Sequence, residues 1–307
     1  RGTGANLSGV DLKNKDLTGT TLIQANLSGV DLSGIDMRGK WAEVNKVEHD
    51  GACHFRAEKL DSSIEQRIKD CYKKHGKGYA IFGDSHAENL FGIITYSSSS
   101  PFIFFFHYGD CYLRSLPLIN NITICNYDQY LDFTRENSNI IFGVIYEQIG
   151  GVLLRNKEGT NGLEIIANTP YGVELKDIYL DEEGIHTVYG FLKSLSGYTN
   201  VVWFGSRIEP HINDKMILRR GCNFDFELRP KQRAIFEELD TYIEKLIVDV
   251  DGLRFVSQNK VFRYHFPEDF MSCIGTYWTD GHHLSALGEQ RMSRRFDVIS
   301  LFSDQGW

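Results

Sequence analysis

The first forty residues repeat every five. ANLSG, VDLKN, KDLTG, TTLIQ, ANLSG, VDLSG and IDMRG stand in register from Ala5 to Gly39, centred on Leu7, Leu12, Leu17, Leu22, Leu27, Leu32 and Met37. A period of five fits neither a 3.6-residue helix nor a two-residue strand. It fits a solenoid in which each unit forms one side of a coil and turns one apolar side chain inward. Asn or Asp precedes the centre in six of the seven units, which suits a tight corner. Gly at unit ends tolerates unusual dihedrals. Lys15 departs from the pattern, since small or apolar residues stand two places before the other centres.

These units resemble the pentapeptide-repeat family, which implies a right-handed quadrilateral β-helix with four units per turn. Seven units make fewer than two turns. So short a stack buries little and is expected to lean on the domain that follows or on chain preceding Arg1.

From Trp41 onward the period vanishes. YAIFG (79–83), PFIFFFH (101–107), NIIFGVIY (139–146), NVVWFGS (200–206) and GLRFV (252–256) read as strands. They are continuous apolar runs, as expected of a sheet buried on both faces. Segments 62–75, 129–137, 184–197, 232–249 and 285–296 read as helices between or after them. The alternation predicts a three-layer α/β sandwich with a mainly parallel sheet. The chain thus divides into a repeat segment, 1–45, and an α/β domain, 46–307.

A net charge of -8 with no basic run argues against general nucleic-acid binding. No apolar run approaches the roughly 18 residues of a membrane span. Cys53, Cys71, Cys111, Cys125, Cys222 and Cys273 include no CxxC pair, so a zinc ribbon is not expected. Their even number fits three disulfides in an oxidising compartment, or six buried thiols in a reducing one.

Two short stretches carry chemistry. Gly83-Asp84-Ser85-His86 follows the first apolar run, where sites gather at the carboxyl ends of parallel strands. A helix starting there would favour negative charge developing beside Ser85. A serine nucleophile needs a base, and the base needs a carboxylate to orient it. Near the other end, YWTDGHHLSALGEQRM (277–292) places Asp280 and His283 with two residues between them, just ahead of the last helix.

Together the two stretches resemble the SGNH (GDSL-like) hydrolase superfamily. GDSHA and DGHHLSALG are most similar to the SGNH domain at the C-terminus of bacterial membrane acyltransferase-3 proteins. GDCYLRSLP and VVWFGSRIEP match other pieces of that domain, and the likeness runs over about residues 50–300. The resemblance implies Ser85 as nucleophile, His283 as general base and then acid, and Asp280 as its orienter. His282 is the rival base, but Leu284-Ser285 follows His283 as in the family motif. Asp84 and His86 would hold the turn, His86 through backbone hydrogen bonds, with direct contact to substrate as its alternative role.

For the oxyanion, the resemblance implies the backbone N–H of Ser85 and that of Gly109. The superfamily places an Asn after its third strand, whereas FGVIYEQIGG has none; Tyr146 or Gln148 stands nearest that place. The related domains are extracytoplasmic and rich in disulfides, which implies three bridges here. Cys53–Cys71, Cys111–Cys125 and Cys222–Cys273 are one of fifteen pairings.

The function so implied is an O-acyl, chiefly O-acetyl, esterase or transferase acting on cell-surface carbohydrate through an acyl-Ser85 intermediate, without metal or cofactor. The implied partners are an acetylated glycan or glycan acceptor and a membrane acyltransferase domain. The implied place is the periplasm or another extracytoplasmic space, with attachment through chain preceding Arg1. The competing expectation is a catalytically silent SGNH-like module that binds carbohydrate or protein.

Overall fold

The computed structural model describes residues 53–57, 59–97, 100–107, 127–212, 227–271, 277–296 and 298–302, and within the repeats 6–13, 15, 17, 26, 30 and 31. The 45/46 boundary, Gly109, Cys111, Cys125, Cys222 and Cys273 lie outside them.

The described repeat residues show how one unit turns. Asn6 pairs in parallel with Asn26, twenty residues on, which is four units of five. The Leu7 N–H donates to the Asn26 carbonyl at 2.8 Å. Asn6 Oδ1 accepts from the Ser8 N–H and Asp11 Oδ1 from the Lys13 N–H, each at 3.1 Å. Asn6 and Asp11 thus each cap their own corner as an Asx turn. Leu12 is buried, while Lys15 is exposed, so a cation there meets water.

The α/β part runs β1 (His54–Ala57), α1 (Ser62–His75), β2 (Gly78–Gly83), α2 (Ser85–Ser97), β3 (Ile103–His107), α3 (Tyr127–Glu136) and β4 (Ile141–Glu147). It continues through β5 (Leu154–Arg155), α4 (Gly162–Asn168), β6 (Tyr179–Leu180), α5 (Glu182–Ser196), β7 (Asn200–Phe204) and α6 (Gln232–Ile247). It ends with β8 (Leu253–Val256), α7 (Gln258–Phe262) and α8 (Ala286–Ser293). Six strands form one sheet in the order β1-β3-β2-β4-β7-β8, every pair parallel. β5 and β6 make a separate antiparallel pair.

Side chains alternate across the strands, and both sides meet a core. Ala80, Phe82, Phe104, Phe106, Val144, Tyr146, Val201 and Trp203 face one cluster, which α1, α3, α5 and α6 complete. Ile81, Ile103, Phe105, Ile145, Val202 and Phe204 face the other, under α2 and α8. This is why the strands read as unbroken apolar runs. Helix α5 brings Ile185, Val188, Leu192 and Leu195 to the sheet at helical spacing.

Strand β2 is the pivot. From it the chain winds to β3 on one side and then crosses to β4 on the other. That reversal opens a crevice at the carboxyl ends of β2 and β4, the usual place for a site in an open α/β sheet.

A disulfide joins Cys53, just before β1, to Cys71 in α1. Helix α1 is also capped at both ends. Asp61 accepts the Ser63 and Ile64 N–H groups at 3.1 Å, and Gly76 (φ 79°) closes it on the Tyr72 carbonyl. The bridge closes a loop of 18 residues, worth about 3 kcal/mol through lost unfolded-chain entropy. Paired Cys53→Ser and Cys71→Ser substitution is expected to lower unfolding free energy by about that amount. Unchanged denaturation midpoints would show that α1 docks without the bridge.

Candidate active site

Ser85 follows β2 and opens α2. Its amide is among the first four of the helix, which have no intrahelical acceptor. Asp84 fixes the turn. Its Oδ1 accepts from the His86 N–H and its Oδ2 from the Ile149 N–H, both at 2.8 Å. One carboxylate therefore ties the start of α2 to the exit of β4. Burial pushes its pKa up to about 6, against the pull of those two bonds and Arg207.

His283 comes from the loop before α8. Its Nε2 lies 2.7 Å from Ser85 Oγ, and its Nδ1 lies 2.7 Å from Asp280 Oδ2. Asp280 Oδ1 also accepts the His282 and His283 N–H groups, each at 2.8 Å. The two-residue spacing works because the carboxylate folds back over its own loop. The Thr279 N–H donates to the His283 carbonyl at 2.9 Å, closing that loop. Burial raises the Asp280 pKa, but bonds and charge from His283 and His282 outweigh it and hold the carboxyl below its ordinary range. An ionised Asp280 keeps His283 Nδ1 protonated and Nε2 free to accept the Ser85 proton.

His282 makes no bond to Ser85 among the described contacts. Its ring lies 4.0 Å from that of His283, and its Nδ1 is 3.4 Å from Asp280 Oδ1. Burial lowers its pKa to about 4, so it is neutral near pH 7.

His86 differs from the sequence expectation of a backbone-bonded turn residue. Its side chain is buried, and its Nδ1 accepts from Arg207 Nε at 3.2 Å. Arg207 Nη2 also donates to the His86 carbonyl at 3.1 Å. Tyr146 donates its hydroxyl to Gln148 Oε1, and Gln148 Nε2 is buried without a partner among the described residues.

Several residues that hold the site escaped the sequence reading. Asn89, one turn after Ser85, clamps Leu284 through both backbone groups, at 2.9 and 3.1 Å. It thereby fixes the residue next to His283. The His211 N–H donates to the Gly281 carbonyl at 2.7 Å, and Glu209 Oε2 binds His211 Nε2 at 2.9 Å. Arg229 braces the same loop from behind through the Pro210 and His211 carbonyls. The i,i+4 spacing of Ser85 and Asn89 was one available signal, and the VVWFGSRIEP stretch that holds Arg207 and Glu209 was another. His211 and Arg229 sit in loop stretches with no local pattern.

Beneath the site lies a buried polar layer. Glu147 accepts from Gln258 at 2.6 Å and stands 3.7 Å from Arg207. Burial pushes the Glu147 pKa up to about 8, outweighing Arg207. The folded state therefore prefers the protonated acid, and that preference is lost as pH rises through the folded value. Wild-type stability is expected to fall between about pH 5 and 8, by up to about 1.4 kcal/mol per pH unit for this group. Glu147→Gln should flatten the curve. Urea midpoints across that range that stay parallel in the two proteins would sink this assignment.

Nitrogens of His86, His282 and His283 lie within 4.8 Å of one another, a spacing that could suit a metal. Their bonding does not. His283 uses both nitrogens, on Ser85 and Asp280, and His86 Nδ1 takes Arg207. A cation would have to break one of these bonds.

Among solved structures, the chain is similar to the C-terminal catalytic domain of Streptococcus pneumoniae peptidoglycan O-acetyltransferase A, solved with a methylsulfonyl adduct. The two are 14% identical, with a TM-score of 0.34, over 71% of this chain and 89% of that one. No curated protein sequence matches the chain. The pentapeptide-repeat family model matches residues 3–39 in eight copies, one more than the seven units in register from Ala5. Residues 3–39 are a run of pentapeptide repeats.

Proposed function

We propose that the chain is a serine-dependent O-acyl esterase or O-acetyltransferase that works through an acyl-Ser85 intermediate. The observation that carries this reading is the line from Ser85 Oγ through His283 to Asp280, with both links at 2.7 Å. His283 Nε2 takes the proton as Ser85 Oγ attacks the ester carbonyl. The carbonyl electron pair moves onto oxygen, facing the Ser85 amide at the start of α2. The ester C–O bond then breaks, and the departing alkoxide takes the proton from His283. A second hydroxyl, of water or of a sugar, gives its proton to His283 and bonds to the acyl carbon; the bond to Ser85 Oγ then breaks, and His283 returns the proton to Oγ. The Gly109 amide is the proposed second donor to the oxyanion.

The choice of acetyl and of cell-surface carbohydrate rests on the motif resemblance, GDSHA with DGHHLS. The Cys53–Cys71 bridge supports an oxidising, extracytoplasmic location. Among the described residues no helix is long and apolar enough to cross a membrane. The proposed acyl supply is a membrane acyltransferase domain or partner.

Methanesulfonyl fluoride is expected to modify Ser85 and to stop p-nitrophenyl acetate turnover in proportion. Turnover that survives full modification of Ser85 would overturn the reading, and absence of turnover by the unmodified protein would favour a silent binding module. Mass spectrometry of O-acetylated glycans, before and after incubation, then separates gain of acetyl from loss.

A further inference from the structure

Four imidazole rings gather beside Ser85. His86 stacks on His282 at 5.7 Å and meets His283 edge-on at 5.4 Å, while His211 lies 5.3 Å from His282. Three have polar partners that account for them. His283 serves Ser85 and Asp280, His211 binds Glu209, and His282 faces Asp280. His86 is left with one nitrogen unaccounted for: its Nε2 is buried and has no hydrogen-bond partner among the described residues.

The protonation of that nitrogen follows from its neighbour. A guanidinium has donors and no lone pair, so Arg207 Nε must donate to His86 Nδ1. The Nδ1 lone pair is thereby used, and the one proton of a neutral imidazole sits on Nε2. Burial, with Arg207 next, holds the His86 pKa well below its ordinary value, so the ring stays neutral. His86 is therefore a fixed N–H donor, not a metal ligand. It occupies the residue next to the nucleophile, with its ring against the base that holds Ser85 Oγ. A buried donor without an acceptor is unfavourable and usually has a reason.

We propose that His86 Nε2–H donates to the acyl carbonyl oxygen as that oxygen becomes an oxyanion. This rests on the acyl-transfer reading of the site. As Ser85 Oγ bonds to the carbonyl carbon, its proton passes to His283 and the π pair moves to oxygen. His86 donates a hydrogen bond to that oxygen and keeps its own proton. When the tetrahedral carbon collapses, the leaving alkoxide removes the proton from His283. His282 is a quarter exposed and stacks on His86. Arg207 acts here as a positioning residue, since it sets the tautomer without meeting substrate.

The test uses the full chain and p-nitrophenyl acetate. His86→Phe keeps an aromatic ring and removes the donor. Its kcat is expected to fall about 100-fold, with KM changed less than about 3-fold. His86→Gln restores an N–H of similar reach and should recover at least about tenfold. Should the Phe variant fail to fold, the wild-type protein still decides. Its His86 Nε2–H proton resonance should move downfield when a p-nitrophenyl methylphosphonate adduct forms on Ser85. Phe and Gln variants equally impaired, or an unmoved resonance, would overturn the role of His86. Turnover undiminished in Ser85→Ala would overturn the acyl-Ser85 reading itself, which distinguishes the two failures.

Discussion

Ser85→Ala is expected to lower kcat for p-nitrophenyl acetate on the order of 10⁵-fold, with little change in KM. The substitution removes the one atom that forms the new bond. The rest of the site should persist, because the Ser85 hydroxyl bonds to His283. Asp280 would still hold His283 through Nδ1 and two backbone N–H groups. The folded state should therefore be unchanged, and circular dichroism and thermal unfolding serve as controls. His283→Ala should be nearly as severe. Asp280→Asn should cost about 10⁴-fold, because an amide lets His283 take the wrong tautomer. A Ser85→Ala rate within tenfold of wild type would sink the nucleophile assignment.

Gly83→Ala is expected to have the largest effect on folding. Gly83 ends β2 at φ 145°, opposite Glu147 of β4. A Cβ there would stand 1.8 Å from the Glu147 carbonyl oxygen and 2.8 Å from Ala87 Cβ. Neither neighbour can withdraw, since one is sheet backbone and the other is packed in α2. The strained dihedral and the forced separation of β2 from β4 together cost about 4 kcal/mol. The site would suffer too, because Asp84 bonds across the same gap to Ile149. Gly190→Ala is the contrast. It lies on the exposed side of α5 with nothing within 4 Å of the new Cβ. A gain of about 0.5–1 kcal/mol is expected there. Equal urea midpoints for Gly83→Ala and wild type would show that β2 and β4 can part without penalty.

What the sequence made legible follows from how each element is stabilised. The central strands announce themselves because both faces are buried, as Ile81 and Phe82 show from opposite sides of the sheet. Helix α1 matches its expected span, 62–75, because Asp61 and Gly76 cap it locally. Strand β1 escapes notice. His54 to Ala57 is short and mixed, and its pairing with β3 is a long-range event. The small β5–β6 pair is missed for the same reason. In the site, Ser85, His283 and Asp280 stand in motifs with local spacing. Arg207 and Glu209 stand in the VVWFGSRIEP stretch, but their contacts, like those of His211, come only with the chain's path after β7. Glu147 reads as an ordinary polar end to a strand, because its burial is a property of the assembled layer.

The bond between Ser85 and His283 spans 198 residues. Asn89 and Leu284 are tied across a similar interval. The two residues of that bond are thus made at very different moments of synthesis. A nascent chain carries GDSH long before it carries DGHH, and during that interval Ser85 lacks His283. Under the proposed mechanism Ser85 therefore stays idle until the loop before α8 has docked, and folding of the last segment switches the site on.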